Sequence, residues 1–231
     1  MGDIFSWKFA LDIFPKVLQA LPQTLLIVVI ATVCGIFLGI LLAFSRIERI
    51  PLLNQLSILL ISFIRGTPIL IQMFLFYFFI PSALSVLGID ISEWDKSIFI
   101  YITYSINTSA FFAEIFRSAI LSVPKAQSDA AYSVGLSRAQ VYGRIIIPQS
   151  ISIAIPGIGV LVTSLLQDTS LAFTFGIFDV VGKARLLGQM RNRLIEGYVV
   201  SAVIFIVLSV FVERGFAVAE HKTKVNILNH N

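Results

Sequence analysis

The sequence predicts an all-α, polytopic membrane protein of five transmembrane helices with one long polar loop between the third and the fourth. Three observations carry this. Hydrophobic residues make up 57% of the chain and charged residues only 13%, where a soluble domain carries about 25% charged residues. Uncharged runs cover 17–45, 66–89, 97–113, 145–167 and 197–212, each close to the roughly 17 to 25 residues that a helix needs to cross the hydrocarbon. Between the third and fourth runs, residues 124–148 are amphipathic and charged.

The lysines and arginines set the expected orientation. Arg46 and Arg49 follow the first run, Arg117, Lys125, Arg138 and Arg144 surround the long loop, and Arg214, Lys222 and Lys224 follow the last run. With five spans these three regions share one side, and the positive-inside rule makes it cytoplasmic, with the amino terminus outside. Asp90, Glu93 and Asp95 fit the outer side. Lys183, Arg185, Arg191 and Arg193 fall outside against the bias.

Residues 1–16 mix Phe5, Trp7, Phe9 and Phe14 with Asp3, Lys8, Asp12 and Lys16, a composition suited to a helix at the membrane interface. Residues 17–218 form the membrane domain and 219–231 a cytoplasmic tail. In the first span the pair Gly35 and Gly39 permits close approach of another helix, and the single cysteine, Cys34, has no internal disulfide partner. The second span opens with Arg65, Gly66, Thr67 and Pro68 and reaches Gln72. Pro68 frees a carbonyl near Ile64 and kinks the helix, and Arg65 must snorkel or find a partner; we expect a structural role for both. In the third span Glu114 and Arg117, three apart, share a face and can pair. Asn107 is either a solute contact or interhelical glue. The fourth span carries Ser164 and then Asp168, the lone charge of its run. A lone intramembrane acid suggests function, although one that accepts backbone hydrogens at an interruption is equally compatible with the sequence. Gln72, Asn107, Ser164 and Asp168 are the candidate pathway residues.

The long loop reads as two short helices. Asp129, Ala130 and Ala131 start the first with an acid and two small residues, Gly135 ends it, Ser137 caps the second, and Pro148 closes that second helix. Such an elbow, tethered to spans at both ends, transmits a push from a soluble partner into the membrane.

Several chemistries are missing. No Gly-x-x-x-x-Gly-Lys-Ser/Thr loop is present to cradle phosphate. His221 and His230 lack metal-ligand spacing, and no Gly-x-Ser-x-Gly elbow occurs. Catalysis, a resident cofactor and a nucleic-acid partner are therefore not expected of this chain.

Four stretches resemble one family. Asp129-Ala-Ala, three residues, Gly135, nine residues, Ile145, one residue, Ile147 and Pro148 resemble the EAA loop of ABC importer permeases, with Asp for the usual Glu and Ile for the usual Leu. Arg65-Gly-Thr-Pro with Gln72, Ala113-Glu-x-x-Arg-x-x-Ile120, and Asp168-Thr-Ser-Leu resemble the polar amino acid branch, where Gln167 replaces the usual Lys. The resemblance implies a type I ABC importer permease fold, with the loop as a cytoplasmic coupling helix. It implies a second permease subunit, identical or similar, two ATPase subunits that use ATP and magnesium, and an external solute-binding protein. Polar amino acid import across a bacterial cell membrane is the implied activity. A secondary transporter or channel is the alternative, though such carriers usually show internal repeats and more spans.

Overall fold

The computed structural model describes residues 5–91 and 93–229; Asp3 and His230 lie outside the described residues. The described chain is helical throughout, in the order α1 (Trp7–Leu18), α2 (Leu21–Ile47), α3 (Leu53–Gly66), α4 (Ile69–Val86), α5 (Lys96–Leu121), α6 (Lys125–Ser133), α7 (Arg138–Phe175), α8 (Val180–Met190) and α9 (Leu194–Asn229). Five of these, α2, α4, α5, α7 and the part of α9 up to Thr223, are long and apolar enough to cross a membrane.

α5 is the hub. Its most extensive partner is α2, and the reason is the glycine pair. A Cβ on Gly35 would collide with Thr108 Oγ1, and one on Gly39 would stand 2.7 Å from Phe112 Cβ. Without side chains there, the two backbones approach until Thr108 Oγ1 donates to the carbonyl of Ala31 at 3.0 Å. α7 and α9 close the bundle on the other flank of α5, with Phe216 seated on Gly159. The core so formed buries Ile27, Met73, Tyr104, Phe112 and Leu166.

The second span differs from a kinked helix. Thr67 is fully extended (φ −123°, ψ 143°), as the ring of the following proline requires, so α3 and α4 are separate helices. Thr67 Oγ1 donates back to Phe63 O at 2.8 Å, and one amide closes two further carbonyls. Gln72 Nε2 donates to Ile64 O at 2.8 Å and to Thr67 O at 3.0 Å.

Two boundaries of the elbow also differ from expectation. Its first helix begins at Lys125, straight after Pro124, so Asp129 lies inside it. Its second helix does not end at Pro148. Arg138–Val141 runs into a π-helical turn at Tyr142–Ile146 and on through Ile147–Asp168. The wider turn absorbs the missing amide hydrogen of the proline, and the side chains of Gln149 and Ser150 donate back to Ile145 O and Ile146 O. Gly135 does break the chain, at φ +85°. Ser137 caps the start of α7 in a capping box with Gln140.

The two ends of the bundle are distinct. At one, Arg138 of the elbow grips Glu48, after α2, at 2.6 Å, so the loop after α2 and the elbow share a side as the five-span reading requires. At the other, Ala10, Ile13 and Val17 of α1 pack on Val180, Ala184, Val200 and Ile204. α1 is thus docked on protein along one face, while Trp7 and Leu11 stay exposed. α9 continues beyond Val212 as helix to Asn229, so the tail begins helical.

Candidate functional site

A cavity of about 580 Å³ opens between the α3–α4 break, α5 and α7. It gathers residues that are far apart in sequence: Arg65 from the end of α3, Asn107 and Glu114 from α5, Ser164 and Asp168 from α7. The rest of the wall is mostly apolar, and polar groups among such residues are unusual, because a polar group at membrane depth costs free energy unless it is satisfied or faces water.

Most of the lining is satisfied. Asn107 Nδ2 donates to Gln72 Oε1 at 2.9 Å, so the amide both ties α5 to α4 and borders the cavity. Gln72 itself is fully buried and lies behind the wall rather than in it. Glu114 is the centre of a cluster. Arg46 from α2 donates to it, Arg117 donates at 2.9 Å, as the three-residue spacing predicts, and Arg65 lies 4.0 Å away. Arg65 is about half exposed and rests beside the Phe111 ring, 6.0 Å from its centroid. Its guanidinium makes no hydrogen bond among the described residues. Pro68 sits at the break directly beneath this cluster in sequence and sets the end of α3.

Asp168 is different. It ends the α-helical part of α7, and its backbone carbonyl accepts from the buried Tyr104 hydroxyl. Its carboxylate has no hydrogen bond or ion pair among the described residues, so the reading in which it accepts backbone hydrogens does not describe its contacts. Just beyond, Asp179 caps α8, with Gly182 N donating to Oδ1 at 2.8 Å. Its other oxygen is buried with no partner among the described residues, and burial pushes its carboxyl up to about 6. The cap was readable, as an acid three residues before a glycine in a helix start. The depth of its burial was not.

The elbow has an inner and an outer face. Ala131, Val141 and Ile146 are buried together with Val123. Asp129, Ala130, Tyr132 and Val134 are exposed, Val134 at 78%. Pro148 is exposed at the foot of α7. A second hollow, about 780 Å³, lies beside the elbow between α2, α5 and α7, and its lining is nearly all apolar, as in Phe44 and Ile151. Such a lining suits no polar solute. Of the cations after α7, Arg193 pairs with Glu196 at 2.7 Å and Arg185 lies over Phe173, while Arg191 is exposed.

An all-helical membrane bundle around a cavity that holds charged and amide side chains, with an elbow at one end, defines a multi-pass transport subunit. Residues 35–225 match the family described as Binding-protein-dependent transport system inner membrane component, and the chain belongs to that family. It is 39% identical over 226 residues to the L-cystine transport system permease protein TcyL of Bacillus subtilis (strain 168), covering 98% of this chain and 95% of that one. It is 27% identical to the glutamine transport system permease protein GlnP of Escherichia coli (strain K12), covering 96% and 99%. The crystal structure of an amino acid ABC transporter with histidines superposes with a TM-score of 0.83 at 26% identity, covering 94% of this chain and 99% of that one. The inward-facing MetNI methionine ABC transporter shares the fold, with a TM-score of 0.68 at 15% identity, over 95% and 99% of the two chains.

Proposed function

We propose that the chain is the membrane permease subunit of an ATP-driven, binding-protein-dependent importer of polar amino acids, working by alternating access. The observation that carries the reading is the elbow. It is one short helix, α6, and the capped, exposed start of α7, pinned to the membrane bundle through Arg138 to Glu48 and through the continuous helix of α7. A force on its outer face therefore reaches α7, which forms one wall of the cavity. Asp129, Ala130, Gly135 and Pro148 form the exposed part of the coupling element on which an ATPase seats, with Ala131 packed beneath it and with ATP and magnesium bound by that partner. Asn107, Ser164 and Asp168 line the solute path, with Gln72 holding Asn107 in place, and Arg65, Pro68, Glu114 and Arg117 brace the wall.

In this reading the amino terminus is outside and the elbow and tail are cytoplasmic in a bacterial cell membrane. A second permease subunit, two ATPase subunits and an external solute-binding protein complete the transporter. Relatives named for cystine and glutamine transport support an amino acid as cargo. The exposed cations after α7, Arg185 and Arg191 above all, present a charge that an acidic rim on the binding protein would meet, speeding encounter.

The test is Gly135→Val. A β-branched residue at φ +85° is strained even though nothing crowds the site,, so the elbow bends while the bundle stays intact. In proteoliposomes holding permease, ATPase and binding protein, ATP hydrolysis should persist while amino acid uptake falls about tenfold or more. Uptake still coupled at the normal ratio would refute the assignment.

A further inference from the structure

The two carboxylate oxygens of Glu114 are held by different elements. Oε2 accepts from Arg117 Nε and Nη2 at 3.2 and 2.9 Å, a pair fixed by the turn of one helix. Oε1 accepts from Arg46 Nη1, at the end of α2, and the same oxygen is the one nearest Arg65 Nη1, which stands off at 4.0 Å from the end of α3. Arg65 is half exposed and borders the cavity together with Glu114. A shift of about 1 Å would bring its guanidinium within hydrogen-bond reach. Two guanidiniums repel each other, so the one that closes on Oε1 disfavours the other.

Both contenders for this oxygen are tied to the elbow through one residue. Glu48, which holds Arg138, caps the end of α2 two residues after Arg46. A displacement of Glu48 therefore moves the last turn of α2, and Arg46 with it. The connector that follows leads straight into α3, the helix that ends in Arg65. Within that connector Arg49 and Leu52 hold φ of +49° and +65°. Residues other than glycine keep such a conformation only where their surroundings impose it, and strain of this kind collects in segments that switch. A pull on Glu48 thus acts on Arg46 through α2 and on Arg65 through α3.

We infer that Glu114 Oε1 is an exchange point between the elbow and the cavity: Arg46 holds it in this structure, and movement of the elbow hands it to Arg65, which draws the end of α3 onto α5 and narrows the cavity at its elbow-side mouth. Arg46 is then a positioning residue for the transport cycle, and Arg65 a moving part of the wall. The inference rests on the elbow being the coupling element.

The test follows access to the cavity from the elbow side. The assembled transporter, with its permease as a Cys34→Ala, Ser164→Cys variant, is placed in sealed vesicles with the elbow outward. The rate at which the new thiol reacts with an added membrane-impermeant maleimide is measured without nucleotide and with ATP and vanadate, which stall the ATPase. The two conditions should give different rates. Arg46→Gln frees Oε1 for Arg65, and should slow labelling about fivefold in the condition where the parent labels faster, the worth of one partly exposed ion pair. Arg65→Gln should do the reverse, speeding labelling about fivefold in the condition where the parent labels slower. Arg46→Lys, which keeps the charge, should stay within about twofold of the parent. Two arginines that merely brace the fold would shift the rate in one direction. Shifts of the same sign, or none, in a parent that still responds to nucleotide overturn the exchange and leave the elbow as the coupling element. A parent whose labelling ignores nucleotide overturns the coupling reading and the exchange with it, and a thiol that never labels overturns both the path reading and the exchange.

Discussion

The two ends of the bundle handle charge in opposite ways. At the elbow end the charges that link elements are paired across helices: Glu114 with Arg46 and Arg117, Glu48 with Arg138. At the other end the Asp168 carboxylate and one oxygen of Asp179 have no partner among the described residues, although Asp179 is fully buried. Glu196 there is matched, by Arg193 and the Ser6 amide. Pairing across helices fixes geometry, so the elbow end is built to move as one piece.

Glu114→Gln breaks the paired end hardest. It strands the guanidiniums from three helices around a neutral amide, and removing the shared partner of a partly buried ion cluster is destabilising. We expect a loss of about 3 kcal/mol, seen as a lower thermal unfolding midpoint of the purified transporter. Glu114→Asp, which keeps the charge, should recover part of it. An unchanged midpoint in Glu114→Gln would mean that the cluster is a set of independently solvated side chains.

The unpaired end responds with the opposite sign. Burial holds the Asp179 proton on until about pH 6, against 3.8 for an ordinary aspartate. Between those values the folded protein binds a proton that the unfolded chain has released, so the stability contributed by this group is full below about pH 4 and is lost as pH rises to about 6. Asp179→Asn keeps the oxygen that caps α8 and removes the buried charge. It should therefore stabilise the protein at pH 7.5 by about 2 kcal/mol and leave it unchanged at pH 4. A variant less stable than the parent at both pH values would show that the carboxylate is held by contacts that an amide cannot make.

Much of this contrast was legible in the sequence, and the remainder has a common cause. The spans, the Gly35 and Gly39 seam, the break at Gly135, the Ser137 cap and the Glu114–Arg117 pair all depend on neighbours within a turn or two, or on a periodicity. The sequence also marked Asn107, Ser164 and Asp168 as polar groups in apolar runs, and the structure brings those three to one cavity. What it hid are choices of partner made at long range. Gln72 reads as a pathway amide until the extended Thr67 supplies carbonyls for it. Pro148 reads as a stop until the π-helical turn absorbs it. Two prolines thus have different outcomes for a local reason. At Pro68 the preceding Thr67 leaves the helix for extended backbone, whereas before Pro148 the chain widens to a π-helical turn and stays helical.

The link between elbow and bundle gives the smallest expected effect and the sharpest test of the idea that paired charge serves motion. Arg138 and Glu48 lie 90 residues apart in sequence. Arg138 is 64% exposed and stacks beside Tyr142. An exposed pair contributes little to stability, so Arg138→Glu should leave the unfolding midpoint where it is. Its consequence is mechanical. With the elbow detached from the loop after α2 and held only through α5 and α7, part of each stroke dissipates, and the uptake per ATP hydrolysed should fall by about twofold. The exchanged pair, Arg138→Glu with Glu48→Arg, restores the attraction with reversed polarity and should restore the ratio, whereas either change alone should not. If single and double variants all retain the parental ratio, the elbow drives the bundle through α5 and α7 alone, and the ion pair serves only to hold the loop after α2 in place.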